Sequence, residues 1–259
     1  MRKDARIYIV GHKPVEYGIW DNDLYQPIQV GNNEDFSNVR DNTGDNIAQW
    51  NFLYAENTAL YWIWKNRPKD LKYIGVCQYR RRLEFNEDFD FDELFKNYDV
   101  VTCMPLMLFP SVMHQYSSCH SPLDMSQLSY ILEREYPEYL DSFSKFISDG
   151  WFLFYSNGFV MRAEDFDRYC EFLFGICDKF REEKGWDTPE IAKEKIDQEI
   201  EEGYRRGDDG HVGNDRKGGN GYQRQVLGFL SERILTLFIC HNFAHKRTYC
   251  LPYTTYEGV

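Results

Sequence analysis

The chain has no basic surplus. Its 259 residues carry 30 Lys plus Arg against 42 Asp plus Glu, a formal net charge of -12. Binding to a nucleic-acid backbone works by displacing cations with basic side chains, so nucleic acid is excluded as a generic partner. No apolar run approaches the ~20 residues needed to cross a bilayer. The opening MRKDARIYIV enters only a short apolar run, IYIV, which is too brief for a signal peptide. These absences predict a cytoplasmic protein, at most peripheral at the inner face of a plasma membrane. The cysteines, Cys77, Cys103, Cys119, Cys170, Cys177, Cys240 and Cys250, are odd in number and scattered. None forms a CxxC pair or a zinc spacing with histidine, so buried free thiols in a reducing compartment are expected. The tract GDDGHVGNDRKGGNG lacks both the GxxxxGK[ST] pattern and a preceding apolar strand. It reads as a mobile loop over 205–221 rather than a phosphate cradle. A Ser/His/Asp nucleophile motif is also missing.

What is present has an α/β rhythm. Arg6–Val10, Tyr73–Cys77 and Tyr98–Cys103 read as buried strands, and Pro27–Val30 as a shorter apolar run. Thr43–Asn66 reads as one helix, with an apolar stripe at Ile47, Trp50, Leu53, Leu60 and Trp64. Pro122–Phe146 reads as two helices broken at Pro137, Trp151–Met161 as containing a strand, and Ala163–Phe180 as a helix. A charged, helical segment with little apolar face begins at Arg181. Tyr222–Ala244 is the last strong helix, with Arg224, Gly228, Ser231 and Glu232 expected on one face. Glycine inside a helix costs about 1 kcal/mol against alanine, so Gly228 implies close approach of a neighbouring segment or ligand. A hydrophobic share of 42% and a charged share of 28% suit one large domain. The aromatic share of 17% is high and fits either core or sugar-stacking surface.

The most informative segment is Tyr73–Phe85, YIGVCQYRRRLEF, an apolar strand ending in Arg80, Arg81 and Arg82. Ligands of open α/β sheets sit beyond the carboxyl ends of the strands, and guanidinium forks match phosphate oxygens. An anionic ligand such as a nucleotide-sugar pyrophosphate is one reading; neutralisation of Glu84, Glu87 or Asp88 is the other. Among acids, Asp21-Asn22-Asp23 follows no apolar strand, and Asp88, Asp90 and Asp92 read as a solvated turn or helix start. No metal site is therefore expected. His120 and Asp124, four apart in YSSCHSPLDMSQL, suit either a cleft or a helix cap beside a surface histidine. Glu232, on an apolar helix next to Arg233, suits either a general base or an ion pair. Asn157-Gly158 suits a sugar contact or a turn.

Taken in order, GHK at Gly11–Lys13, YQPIQVG, DNTGDNIAQWN, AENTALYWIWKN, GVCQYRRRLEF, QYSSCHSPLD, FYSNGFVM and GFLSERILTLF resemble a bacterial glycosyltransferase family. That family belongs to capsule, exopolysaccharide and O-antigen gene clusters, and some members are galactofuranosyltransferase modules. Two positions depart from it: Gln78 stands where the family has histidine, and Gly158 where it commonly has methionine. The resemblance implies a GT-A-like fold with a Rossmann-type mixed sheet flanked by helices, in one domain spanning 1–259. It implies a nucleotide-sugar-binding half at 1–105 and an acceptor half at 106–259. The implied reaction moves a hexose, galactofuranose foremost, from a UDP-sugar donor to a lipid-linked or polysaccharide acceptor. Inversion and metal independence are preferred, with no cofactor, since GT-A enzymes usually hold their metal on Asp-x-Asp where this chain has arginines. By the same resemblance His12, Lys13, Asp41, Asn42, Asp45, Tyr79, Arg80, Arg81 and Asn157 would meet the donor. His120, Asp124 and Glu232 would serve catalysis. The rival is a non-catalytic glycan- or nucleotide-sugar-binding assembly subunit on the same fold.

Overall fold

The computed structural model describes residues 4–13, 23–31, 36–205, 221–243 and 247–255. The first strand, β1 (Ala5–Gly11), is buried along its whole length. That is what a continuous apolar run becomes when both faces of a parallel sheet are covered. Strand β2 (Tyr25–Gln29) lies parallel to it, with Ile7 opposite Tyr25.

The single helix expected over 43–66 is broken. A 3-10 turn at Ala48–Trp50 leads into the short α1 (Asn51–Tyr54), Ala55 takes φ 50°, and α2 (Asn57–Asn66) starts afresh. Side chains explain both departures. Asn66 accepts the Asp45 N–H at 3.1 Å and donates to the Asp45 carbonyl at 2.7 Å, while Trp62 donates to Thr43 Oγ1 at 3.0 Å. The 43–45 turn is thus held against the side of α2 instead of extending a helix. At the break, Asn51 Nδ2 donates to the Ala55 carbonyl at 2.9 Å and to Thr58 Oγ1 at 3.1 Å, replacing the helical bonds that are lost.

Central strand β3 (Tyr73–Gln78) pairs in parallel with β1 and turns at Tyr79-Arg80 into β4 (Arg81–Arg82). Helix α3 (Phe91–Asn97) begins at Asp90, whose side chain accepts the Glu93 N–H at 2.9 Å. Such a cap is worth about 1 kcal/mol. Asp92, in the first turn, accepts the Tyr73 hydroxyl proton at 2.7 Å; of the two sequence readings, solvated turn or helix start, Asp90 and Asp92 take the second. Then come β5 (Val100–Cys103), β6 (Leu106–Met107), α4 (Val112–Cys119), α5 (Pro122–Glu135) and α6 (Leu140–Asp149). The break between α5 and α6 falls at Pro137, as expected. Strand β7 (Phe152–Leu153) pairs with β6 in a separate two-stranded sheet, and β8 (Phe159–Arg162) returns antiparallel between β3 and β5.

Helix α7 (Ala163–Lys184) ends at Gly185, whose φ of 60° lets the Trp186 N–H reach the Arg181 carbonyl. Helix α8 (Pro189–Glu201) buries Ala192 and Ile196. Helix α9 (Val226–Asn242) is buried through most of its length, and β9 (Thr248–Leu251) and β10 (Thr254–Thr255) follow. A methyl group on Gly228 would lie 2.9 Å from the Ala55 Cβ, so this glycine does mark a close approach, of α9 to the α1–α2 break. Arg224, expected on one face of α9 with Gly228, Ser231 and Glu232, precedes the helix and pairs with Asp197 of α8. The tract 206–220 and the pair Asp21, Asn22 lie outside the described residues.

The eight-stranded sheet runs β2-β1-β3-β8-β5-β9, with β4 and β10 forming a flap at the end of β3. Strands β2, β1, β3, β5 and β9 are mutually parallel, since β8 runs opposite to both of its neighbours. Gly11, Gln78, Cys103 and Leu251 therefore end on one edge. Residues 252–255 cross that edge from β9 to β4, and Tyr253 donates to the Tyr155 carbonyl at 3.0 Å. A Cβ at Gly158 would stand 2.0 Å from the Tyr253 hydroxyl, which explains why this chain has glycine there. All seven cysteines are unpaired. Among the described residues no helix is long and apolar enough to cross a membrane.

Candidate active site

At this carboxyl edge a cleft of about 390 Å³ opens beyond β1 and β3. Its walls come from Gly11 and His12 after β1, Gly31 after β2, and Gln78, Tyr79 and Arg80 after β3. Asn51, Ala55 and Glu56 enter from the α1–α2 break, and Gln225 from just before α9.

The three arginines part company here, because the chain reverses direction at Tyr79-Arg80. Arg80 is exposed in the cleft wall, its guanidinium 5.2 Å from the Tyr79 ring centroid. Arg81 points to the β7–β8 turn and donates to Ser156 Oγ at 3.1 Å. Arg82 is fully buried and donates to the Tyr79 carbonyl at 3.2 Å. One sequence motif thus serves three environments. Tyr79 itself is 5% exposed, packs edge-on against His12 at 5.2 Å, and its hydroxyl has no partner among the described residues.

Behind the cleft lies a polar network centred on Glu56. Its Oε1 accepts from Gln78 Nε2 at 2.9 Å and from Asn157 Nδ2 at 3.0 Å. Asn157 Nδ2 also donates to Ser231 Oγ at 2.9 Å, as does Asn57 Nδ2. Ser156 and Asn157 both adopt left-handed backbone, φ 63° and 48°. Each such residue costs on the order of 1–2 kcal/mol, so the surrounding bonds must hold the turn in place. One of these is the Ser156 N–H, which donates to Glu232 Oε1 at 2.6 Å. Burial pushes the Glu232 carboxyl above its ordinary pKa, and nearby Glu56 adds to this. Arg233, the Ser156 N–H and Arg81 pull the other way.

Glu56, Asn51 and Gln225 were not singled out by sequence reasoning. Glu56 reads there as one polar position in a striped helix; only the break at Ala55 turns it toward the cleft. The single available signal was Gly228, whose missing side chain admits Ala55.

The remaining expected site residues lie apart from the cleft walls. Asp41, 2% exposed, accepts the Thr58 hydroxyl proton at 2.6 Å, and Thr58 in turn holds Asn51. Burial raises the Asp41 pKa, against the pull of that hydrogen bond. Asn42 is exposed, and Asp45 is fastened to α2. Lys13 follows His12 at the cleft rim without lining it. Asp124 is fully buried, with Arg205 donating to both carboxylate oxygens at 2.7 and 2.9 Å and Tyr116 donating at 2.9 Å. These bonds hold the carboxylate in a buried ion pair, apart from the cleft walls. His120 stacks on Phe229 at 4.0 Å, and burial, aided by Arg233, lowers its pKa to about 3. It is packed in the interior, apart from the cleft walls. Among the described residues no cluster of three or more His, Cys, Asp or Glu has metal-binding geometry.

A mixed sheet in which β8 and the flap strand β4 run against the rest, with helices on its faces and a cleft at its carboxyl edge, is a GT-A-like fold. The apo structure of the bifunctional glycosyltransferase WbbM shares it, with a TM-score of 0.74 over 98% of this chain and 23% identity. The chain spans 46% of that protein's length. Residues 6–195 match the family described as a domain of unknown function (DUF4422), and the chain belongs to that family. No curated protein matches it.

Proposed function

We propose that the chain is a glycosyltransferase that moves a hexose from a UDP-sugar to a growing cell-surface polysaccharide. Galactofuranose is the first donor sugar to test, and inversion without metal the first mechanism. The observation that carries the reading is Arg80, standing with His12 at a cleft on the carboxyl edge of a GT-A-like sheet. A permanently charged fork at that position suits a diphosphate leaving group and stabilises the charge that develops on it. Arg81, reaching Ser156 behind the turn, adds positive potential near the same edge.

In the proposed step an acceptor hydroxyl oxygen bonds to the anomeric carbon as the bond from that carbon to the UDP oxygen breaks. UDP departs with the bonding electron pair, and a carboxylate takes the hydroxyl proton. Glu56 is assigned that part because it is the carboxylate that lines the cleft among the described residues, and Gln78 and Asn157 fix its orientation. Glu232 stands behind it, holding the Ser156–Asn157 turn.

Calorimetric titration with UDP, with Mn²⁺ and with chelator, tests the donor assignment. Binding that ignores metal and weakens at least about fivefold in Arg80→Ala supports it. Equal affinity in the variant sinks the diphosphate site, and binding only with Mn²⁺ overturns metal independence. Because Gln78 ties down Glu56, a binding-only subunit is the second reading; UDP-sugar affinity with no turnover on any acceptor would favour it.

A further inference from the structure

From Val100 to Leu123 the chain contains no Asp, Glu, Lys or Arg, although 28% of all its residues are charged. The middle of this stretch is not buried. Met104, Leu106, Met107 and Phe109 are 53%, 45%, 58% and 94% exposed, and Trp151 beside them is 55% exposed. Strand β6 is exposed on both faces and, among the described residues, pairs with β7 alone, with Leu106 opposite Leu153 and Met107 opposite Phe152. The Leu108 N–H donates to the Trp151 carbonyl at 2.7 Å, so tryptophan and loop stay together. Behind them Pro105, Met107, Trp151, Phe152 and Phe154 line an apolar hollow of about 220 Å³.

We infer that this patch docks the protein on an electrically neutral lipid surface. Three observations favour lipid over a protein partner. A stable protein interface draws on about 20–30 residues a side, and this patch offers a handful of side chains on one loop and its neighbour. Its most exposed side chain is Phe109, at 94%, which can enter a headgroup layer without a complementary cavity. Its composition pairs tryptophan with phenylalanine, leucine and methionine, the set that settles at the boundary of headgroups and acyl chains. Charge sets the kind of lipid. Among the described side chains of the patch there is no cation, Arg247 beside Thr248 at the hollow is paired with Asp99 at 2.9 Å, and the net charge is -12, so an anionic surface repels the protein.

Position gives the patch its use. Strand β5 ends at Cys103 on the same edge as Gln78 of β3, with only β8 between them, so the strands stand about 10 Å apart. Residues 104–110 leave the sheet there. A bilayer touching Phe109 and Trp151 would face the edge on which the cleft opens. An acceptor anchored in that bilayer would then need only a short reach.

The test is co-sedimentation of the full chain with phosphatidylcholine vesicles, alongside Phe109→Ser and Trp151→Ser variants. The expected results are binding of the unaltered chain, at least about tenfold weaker partitioning in each variant, and weaker binding to phosphatidylglycerol vesicles at low salt. No binding to neutral vesicles, or binding that both variants retain in full, overturns the inference. So does a concentration-dependent dimer in light scattering that Phe109→Ser abolishes, since the patch would then belong to a second copy. UDP titration is a separate readout, so failure of vesicle binding is distinguishable from failure of the sugar-transfer reading.

Discussion

Glu56 and His120 carry the clearest expectations for single side chains, and they differ in kind. Glu56→Gln keeps an oxygen that can accept from Gln78 and Asn157, but it removes the proton acceptor. Sugar transfer should fall about 10²–10⁴-fold while UDP affinity stays within about twofold; steady-state kinetics beside calorimetry measures both. A variant with unchanged turnover moves the base elsewhere, with Glu232 next in line. His120 acts on stability. Its pKa falls from 6.5 to about 3 on folding. Between those values the unfolded chain binds a proton that the folded chain excludes, so stability drops as pH falls through that window. The slope from this one group is at most about 1.4 kcal/mol per pH unit. Urea midpoints at about pH 7 and about pH 5 should therefore converge in His120→Phe, which keeps the stack on Phe229 without the titration. The sequence pointed to Arg80 because a strand end followed by arginine has a physical meaning on its own. It said nothing of Glu56, whose role depends on a backbone break and on partners distant in sequence.

Among the elements, the α1–α2 pair shows where periodicity stops being a guide. Leu53, Leu60 and the other stripe residues bury one side whether or not the helix is continuous, so the pattern runs on across Ala55. The interruption is specified by Asn51, Asn66 and Gly228, each acting sideways or at long range. Gly228→Ala tests the fit. Alanine favours helix by about 1 kcal/mol, but its Cβ would come within 2.9 Å of the Ala55 Cβ. Overpacking of this kind costs typically about 1–3 kcal/mol, so a net loss of about 1 kcal/mol in urea denaturation is expected, with weaker UDP binding because Ala55 lines the cleft. A variant more stable than the parent would mean that α9 can yield. By contrast, the α5–α6 break and the start of α3 were legible, since Pro137 and the capping side chain of Asp90 act on backbone within a few residues of themselves.

For the molecule as a whole, the alternation of apolar runs and striped helices announced an α/β sheet, and strands β1, β3 and β5 fall where the runs lie. Strand order was out of reach. Nothing local says that Phe159–Arg162 inserts antiparallel between β3 and β5, or that Thr248–Leu251 continues the sheet beyond β5. The same long-range pairing fixes the order in which a nascent chain can finish its site. The Arg81–Arg82 flap gains its partner strand only when Thr254 and Thr255 arrive, and Tyr253 comes to rest over Gly158 in the same step. The edge that carries the arginines is therefore completed by long-range pairing, after the segments between β4 and β10 have been made.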